Sequence, residues 1–152
     1  MGRMKEKRDV FLLLLLLHLN KKVQGRTRFQ KTVCLLKHKY QIPFSFNFKS
    51  YYYGPYSEEL ADTLSLLQGT NLVEEVSEPV NEGMVRYSYK LTERGENIIK
   101  STSSTADRKF LSKMKKDIEE IQKIRTPELI ALAKKTGFAE AKETPEPPRG
   151  RP

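Results

Sequence analysis

The sequence predicts an α+β fold, mostly helical, and three observations carry that prediction. Apolar residues recur at helical spacing in several separate stretches, before and after the middle of the chain. Two strand-like runs, 72–76 and 84–91, are joined by a connector holding Pro79, Asn81 and Gly83, which are turn residues, so the pair reads as a β-hairpin with a long tip. Between them and the amino-terminal helices lies Lys49-Ser-Tyr-Tyr-Tyr-Gly-Pro-Tyr-Ser57, which reads as strand, stop and helix start. Aromatic side chains suit a pleated, half-buried surface, and Gly54-Pro55 ends the run because proline has no N–H for a ladder. Ser57 then stands as an N-cap, with Glu58 and Glu59 in the first turn where the helix dipole favours negative charge.

In chain order, Val10 to Leu17 is apolar on every side of a helix but far short of the roughly 20 residues a bilayer span needs. A signal peptide is disfavoured, because Asp9 abuts the run and His18, Asn20, Lys21 and Lys22 stand where a cleavage site would begin. The run predicts a helix over 6–20, buried between other elements or in a subunit interface. Gly25 breaks the chain, and Thr27-Arg-Phe-Gln30 has the form of a capping box for a helix over 28–40. That helix buries Phe29, Val33 and Leu36 and leaves Arg26, Arg28, Lys31, Lys37 and Lys39 in water. Pro43 ends it, and Phe44, Phe46 and Phe48 alternate with polar residues as in a half-buried strand or extended segment. Leu60, Leu64 and Leu67 then mark the helix at 57–68, closed by Gly69.

After the hairpin, Thr92 caps a short helix over 93–100, and the polar 101–106 reads as a hinge between a first domain, 1–100, and a helical pair, 107–137. In the first of these helices Leu111, Met114, Ile118 and Ile121 form a narrow stripe at near-heptad spacing, the candidate dimer seam or else part of one intramolecular core. Thr126-Pro127-Glu128 opens the second with cap, N1 proline and acidic first turn. Residues 138–152 read as a disordered tail.

The net charge of +9 is unevenly placed. Residues 1–40 carry 11 Lys/Arg against 2 acids, and 108–152 carry 12 against 7, while 41–75 carry 1 against 5. An electropositive amino-terminal segment points to a polyanion, most often nucleic acid. A single cysteine excludes an intramolecular disulfide and suits a reducing compartment, hence the cytoplasm. Little supports an enzyme. Cys34 and His38 are one helical turn apart, but Cys34 sits among Val33, Leu35 and Leu36 and reads as a core residue. No metal ligand spacing, phosphate loop or nucleophile elbow is present, so no metal or cofactor is expected.

The order helix, helix, extended segment, helix, strand, long turn, strand is that of a winged helix-turn-helix domain. Leu66-Leu-Gln-Gly-Thr-Asn-Leu-Val-Glu-Glu75 and Tyr89-Lys-Leu-Thr-Glu-Arg-Gly95 resemble the wing region of winged-helix transcription regulators. More narrowly, Phe29-Gln-Lys-Thr-Val-Cys-Leu-Leu36 followed by Tyr53-Gly-Pro-Tyr-Ser57 resembles the YwgA-like and Panacea (SocA-type antitoxin) proteins. The resemblance implies three helices plus a two- or three-stranded wing, followed by two carboxyl-terminal helices.

Two features depart from an ordinary DNA reader. About 16 residues separate the second and third helices, where a helix-turn-helix uses three or four. The third helix turns Glu58 and Asp62 outward, and no Lys or Arg occurs from 50 to 85; such a helix repels phosphates. Phosphate contacts are therefore expected at the start of the second helix, from Arg26, Arg28 and Lys31. Lys49, Tyr51, Tyr53, Tyr56 and Ser57 are expected to add to them, and Arg86 to reach out from the wing. The leading expectation is a homodimeric DNA-binding regulator that contacts double-stranded DNA and no membrane. The alternative is a winged-helix module, adaptor or antitoxin-like, that binds a protein through its acidic third helix.

Overall fold

The computed structural model describes residues 2–81 and 83–136. It is α+β and mostly helical, and its described residues form six helices and two small antiparallel sheets. Helix α1 (Gly2–Asn20) is the centre of the fold: Leu12 to Leu17 are all buried because α4, α5 and a strand pack around it. That surrounds the apolar run on every side, as its composition requires. Asp9, at the head of the run, is buried too, and its carboxylate accepts from both the amide (2.9 Å) and the hydroxyl of Ser45.

Strand β1 (Val23–Gln24) leads through Gly25, at φ 102°, into α2 (Arg26–His38). The capping box at Thr27 does not form. Gly25 is the N-cap with no side-chain bond, Thr27 lies inside the helix, and Gln30 is turned toward Ser57 instead. Residues 42–48 run extended without a ladder. Ile42, Phe44, Phe46 and Phe48 are buried; the Ile42 amide donates to the Leu36 carbonyl and the Phe44 amide to the Ile42 carbonyl, and other backbone groups there go to side chains. Asp9 takes the Ser45 amide, Glu59 takes the Asn47 amide at 2.9 Å, and Lys37 donates to the Phe46 carbonyl.

The tyrosine stretch is a hairpin rather than one strand. β2 (Lys49–Tyr51) turns through Tyr52 and Tyr53 and returns as β3 (Gly54–Tyr56), so Gly54-Pro55 belongs to the return strand. Gly54 adopts φ 103°, a conformation that favours glycine. Ser57 caps α3 (Glu58–Gly69) by accepting from the Leu60 amide at 3.1 Å, and Leu60, Leu64 and Leu67 are its buried face.

β4 (Val73–Pro79) and β5 (Val85–Leu91) form the long hairpin, and β1 adds to the free edge of β5 with Val23 opposite Tyr89. Thr92 caps α4 (Glu93–Ser103), accepting from Gly95 at 3.0 Å. The helix runs on through Ser103, so half of the expected hinge is helical. Asp107 caps α5 (Arg108–Gln122), and α6 (Thr126–Lys134) begins with Arg125 as N-cap, Thr126 lying one residue inside. These last helices pack on α1 and α2 and share one core with everything before them. Met114, Ile118 and Ile121 are at most 1 % exposed in that core, and Leu111 is half-buried. The stripe proposed for a dimer seam is therefore filled from within the chain. The tail from 138 lies outside the described residues.

Candidate nucleic-acid interface

The basic residues expected at the start of α2 do not act together. Lys31 is 1 % exposed, and its Nζ donates to the Pro55 carbonyl at 2.9 Å, so it cannot reach a phosphate. Burial pushes its ammonium down to about 8, with nearby Lys134 adding to the effect. Ser57 is fully buried, its hydroxyl capping α3 and its backbone held by Gln30. Arg26 stacks 4.3 Å above the Tyr87 ring and is held by Tyr89 (Nε to Oη, 3.0 Å) and Glu75 (3.3 Å). Arg28 ties α2 to the α5–α6 corner, donating to the Ile121 carbonyl (2.9 Å) and to Thr126 Oγ1 (3.3 Å). Burial lowers its pKa from the ordinary arginine value.

The sequence placed these cations on a wet helix face. Periodicity could not show that α5 and α6 cover one side of that helix and that the Gly54-Pro55 segment of β3 covers another. The tyrosine hairpin keeps its surface: Tyr52 and Tyr53 are exposed and packed edge to face, Tyr56 is half-buried and tilted against Tyr51, and Lys49 is exposed.

Positive charge gathers instead in an open groove of about 510 Å³, where the α1–β1 link, strand β5 and the α5–α6 corner meet. Lys22, Arg28, Arg86, Lys123 and Arg125 line it, and none of its described lining residues is acidic. Arg28 and Arg86 were expected from the sequence; Lys22, Lys123 and Arg125 were missed. The available signal was the charge surplus of residues 108–152, which no sequence rule brings beside the β4–β5 hairpin. Glu78 lies against the rim, pairing with Lys22 at 3.2 Å and Arg86 at 3.8 Å, and so neutralises part of the field. Continuous with the groove through Arg28, Arg86 and Thr126 is a larger cleft of about 670 Å³ under the tip of the β4–β5 hairpin. The uncapped start of α2 opens into it, with no acid in its first turn.

The third helix shows the opposite sign. Glu58, Glu59 and Asp62 are exposed, and Glu59 is tied to Asn47. The described residues contain no group of three or more His, Cys, Asp or Glu able to hold a metal ion, and no helix long and apolar enough to cross a membrane.

No protein-family model matches the chain. A stretch of 71 residues, 47% of this chain, is 39% identical to the uncharacterized protein YwgA of Bacillus subtilis (strain 168). The match covers 42% of that protein, so the chain spans less than half the length of this relative. The similarity supports a YwgA-like relationship.

Proposed function

We propose that the chain is a winged-helix DNA-binding protein, a transcription regulator, that holds the DNA backbone with the groove between wing and α5–α6 corner. The observation that carries this reading is the convergence of five cationic side chains with no acid among the groove's described lining residues. The backbone contacts come from Lys22, Arg86, Lys123 and Arg125, while Arg28 braces the corner that positions them. The element order and the β1-β5-β4 sheet support the winged-helix assignment. The acidic α3 stays out of the major groove, since carboxylates would be brought toward phosphates. Base contacts then fall to the wing tip, where Asn81 and Met84 are exposed beside Arg86.

A mobility-shift assay with mixed-sequence duplex tests the reading. Lys123→Glu with Arg125→Glu should abolish the shift, whereas Glu58→Gln with Asp62→Asn should leave it in place or strengthen it. Loss of binding only in the α3 variant would overturn the assignment of the groove.

A second reading, a partner-binding module of the antitoxin or adaptor kind, draws on one feature. On α3, Glu58 and Asp62 lie exposed, as does Leu66 at 59 %. It predicts no DNA shift at low salt.

A further inference from the structure

A more enclosed cleft than the groove lies on the other side of Arg26, between α2, α3 and the sheet, and the groove reading does not use it. Its volume is about 420 Å³, within the range of small-molecule sites. One wall is a fixed polar triad. Tyr89 Oη donates to Glu75 Oε2 at 2.6 Å and accepts from Arg26 Nε at 3.0 Å, and Arg26 Nη2 donates to the same carboxylate oxygen at 3.3 Å. Two of its members are held from behind. The Tyr87 ring lies under the guanidinium, and the Tyr89 ring packs on Phe29 at 5.6 Å between centroids.

The triad is not saturated. Arg26 gives two of its five N–H donors to described residues, and Glu75 Oε1 accepts no hydrogen bond from a described residue. Both side chains keep exposed surface, 46 % for Arg26 and 25 % for Glu75. The rest of the lining is of another kind: Phe29, Leu64 and Ala61 supply apolar surface, Tyr56 an aromatic one, and Ser65 and Gln68 stand on α3 at the edge.

A cation and an anion side by side over an apolar floor select for a particular ligand. A simple carboxylate entering the cleft faces Glu75, and a simple amine faces Arg26. A wholly apolar molecule would strip water from both charges without replacing it. A molecule bearing an anion and a cation on adjacent atoms, with an apolar body, meets all three surfaces at once. We infer that this cleft binds a free α-amino acid with an apolar side chain. The α-carboxylate takes the unused Arg26 donors, the α-ammonium takes Glu75 Oε1, and the side chain lies on Phe29, Leu64 and Tyr56. The inference stands on these residues alone and does not depend on DNA binding.

Isothermal titration of the full chain with L-leucine, L-methionine, L-phenylalanine and L-tryptophan tests it, together with analogues lacking either the amine or the carboxylate. At least one amino acid should bind at sub-millimolar concentration, and removing either charged group should weaken it about tenfold or more. Ser65→Phe places a ring in the cleft from an exposed helix position and should abolish binding while leaving the circular-dichroism melt cooperative. Glu75→Gln, which preserves an acceptor for Tyr89, should weaken the amino acid about tenfold or more yet leave the amine-free analogue unchanged or tighter. Absence of heat with all four amino acids at millimolar concentration would overturn the inference. So would undiminished binding to Ser65→Phe, or an amine-free acid binding as tightly as its amino acid.

Discussion

Gln30 grips Ser57 from both sides. Its Oε1 accepts from the Ser57 amide at 2.8 Å, and its Nε2 donates to the Ser57 carbonyl at 3.0 Å. One side chain of α2 thereby fixes the residue that caps α3, and the neighbouring Lys31 holds Pro55 two residues earlier. The Gln-Lys pair of the second helix and the Gly-Pro-Tyr-Ser turn are thus one hydrogen-bonded unit. Gln30→Leu leaves the buried Ser57 N–H without its partner, while the Ser57 carbonyl keeps the Ala61 amide at 3.2 Å. It should lower unfolding stability by about 1–3 kcal/mol, read as a shift of the urea midpoint at constant m-value. An unchanged midpoint would show that the clamp contributes nothing.

Gly95 has a comparable local role. It stands in the first turn of α4, where an added Cβ would sit 2.2 Å from the Leu72 carbonyl oxygen, a backbone atom that cannot step aside. Gly95→Ala should cost about 1–3 kcal/mol despite the better helix propensity of alanine. Thermal melts of this variant beside Gly69→Ala, which meets nothing within 4 Å, separate crowding from propensity. Equal melts for both would refute the close approach.

Lys31 makes stability depend on pH. Its folded pKa is about 8 against the usual 10.5, so the folded state gives up this proton first. The stabilisation is fully present above about 10.5 and is lost as pH falls through about 8. Cys34 works in the opposite direction at higher pH: burial holds its thiol at about 11 against 9.0, so its contribution fades between those values. The clean window lies between about pH 7.5 and 9, where wild type should gain about 1 kcal/mol and Lys31→Met should gain none. Urea midpoints at the two pH values check this, and a parallel rise in both proteins would contradict it.

Ile118 tests the closing of the α5 stripe within one chain. It is 1 % exposed in the shared core. Ile118→Ala should cost about 2–5 kcal/mol, with an unfolding midpoint independent of protein concentration. A midpoint that falls on dilution would instead place the stripe between two copies.

Most of the elements were legible in the sequence, because their signals are local. Ser57 and Thr92 cap as their residue types predict, and Leu60, Leu64 and Leu67 bury as their spacing predicts. Asp107 and Pro127 mark helix starts to within a residue or two. What failed was long-range. Thr27 and Gln30 match a capping box in spacing, yet a buried backbone 27 residues away competes better for the glutamine amide. Lys31 and Arg28 read as wet because nothing in a helix pattern shows that strand β3 at Gly54-Pro55 and the α5–α6 corner will cover them. Lys123 and Arg125 belong to the groove only because α5 turns back over α2. Tertiary placement, rather than propensity, decided which cations remain available.

The central claim is that DNA phosphates are held in the groove beside the wing. Fluorescence anisotropy of mixed-sequence duplex, titrated across salt for wild type and for Lys22→Gln/Arg86→Gln/Lys123→Gln/Arg125→Gln, tests it most directly. Four lost phosphate contacts should reduce the slope of log K against log salt by about 3–4. A wild type that fails to bind at low salt, or a variant whose slope equals that of wild type, would contradict it.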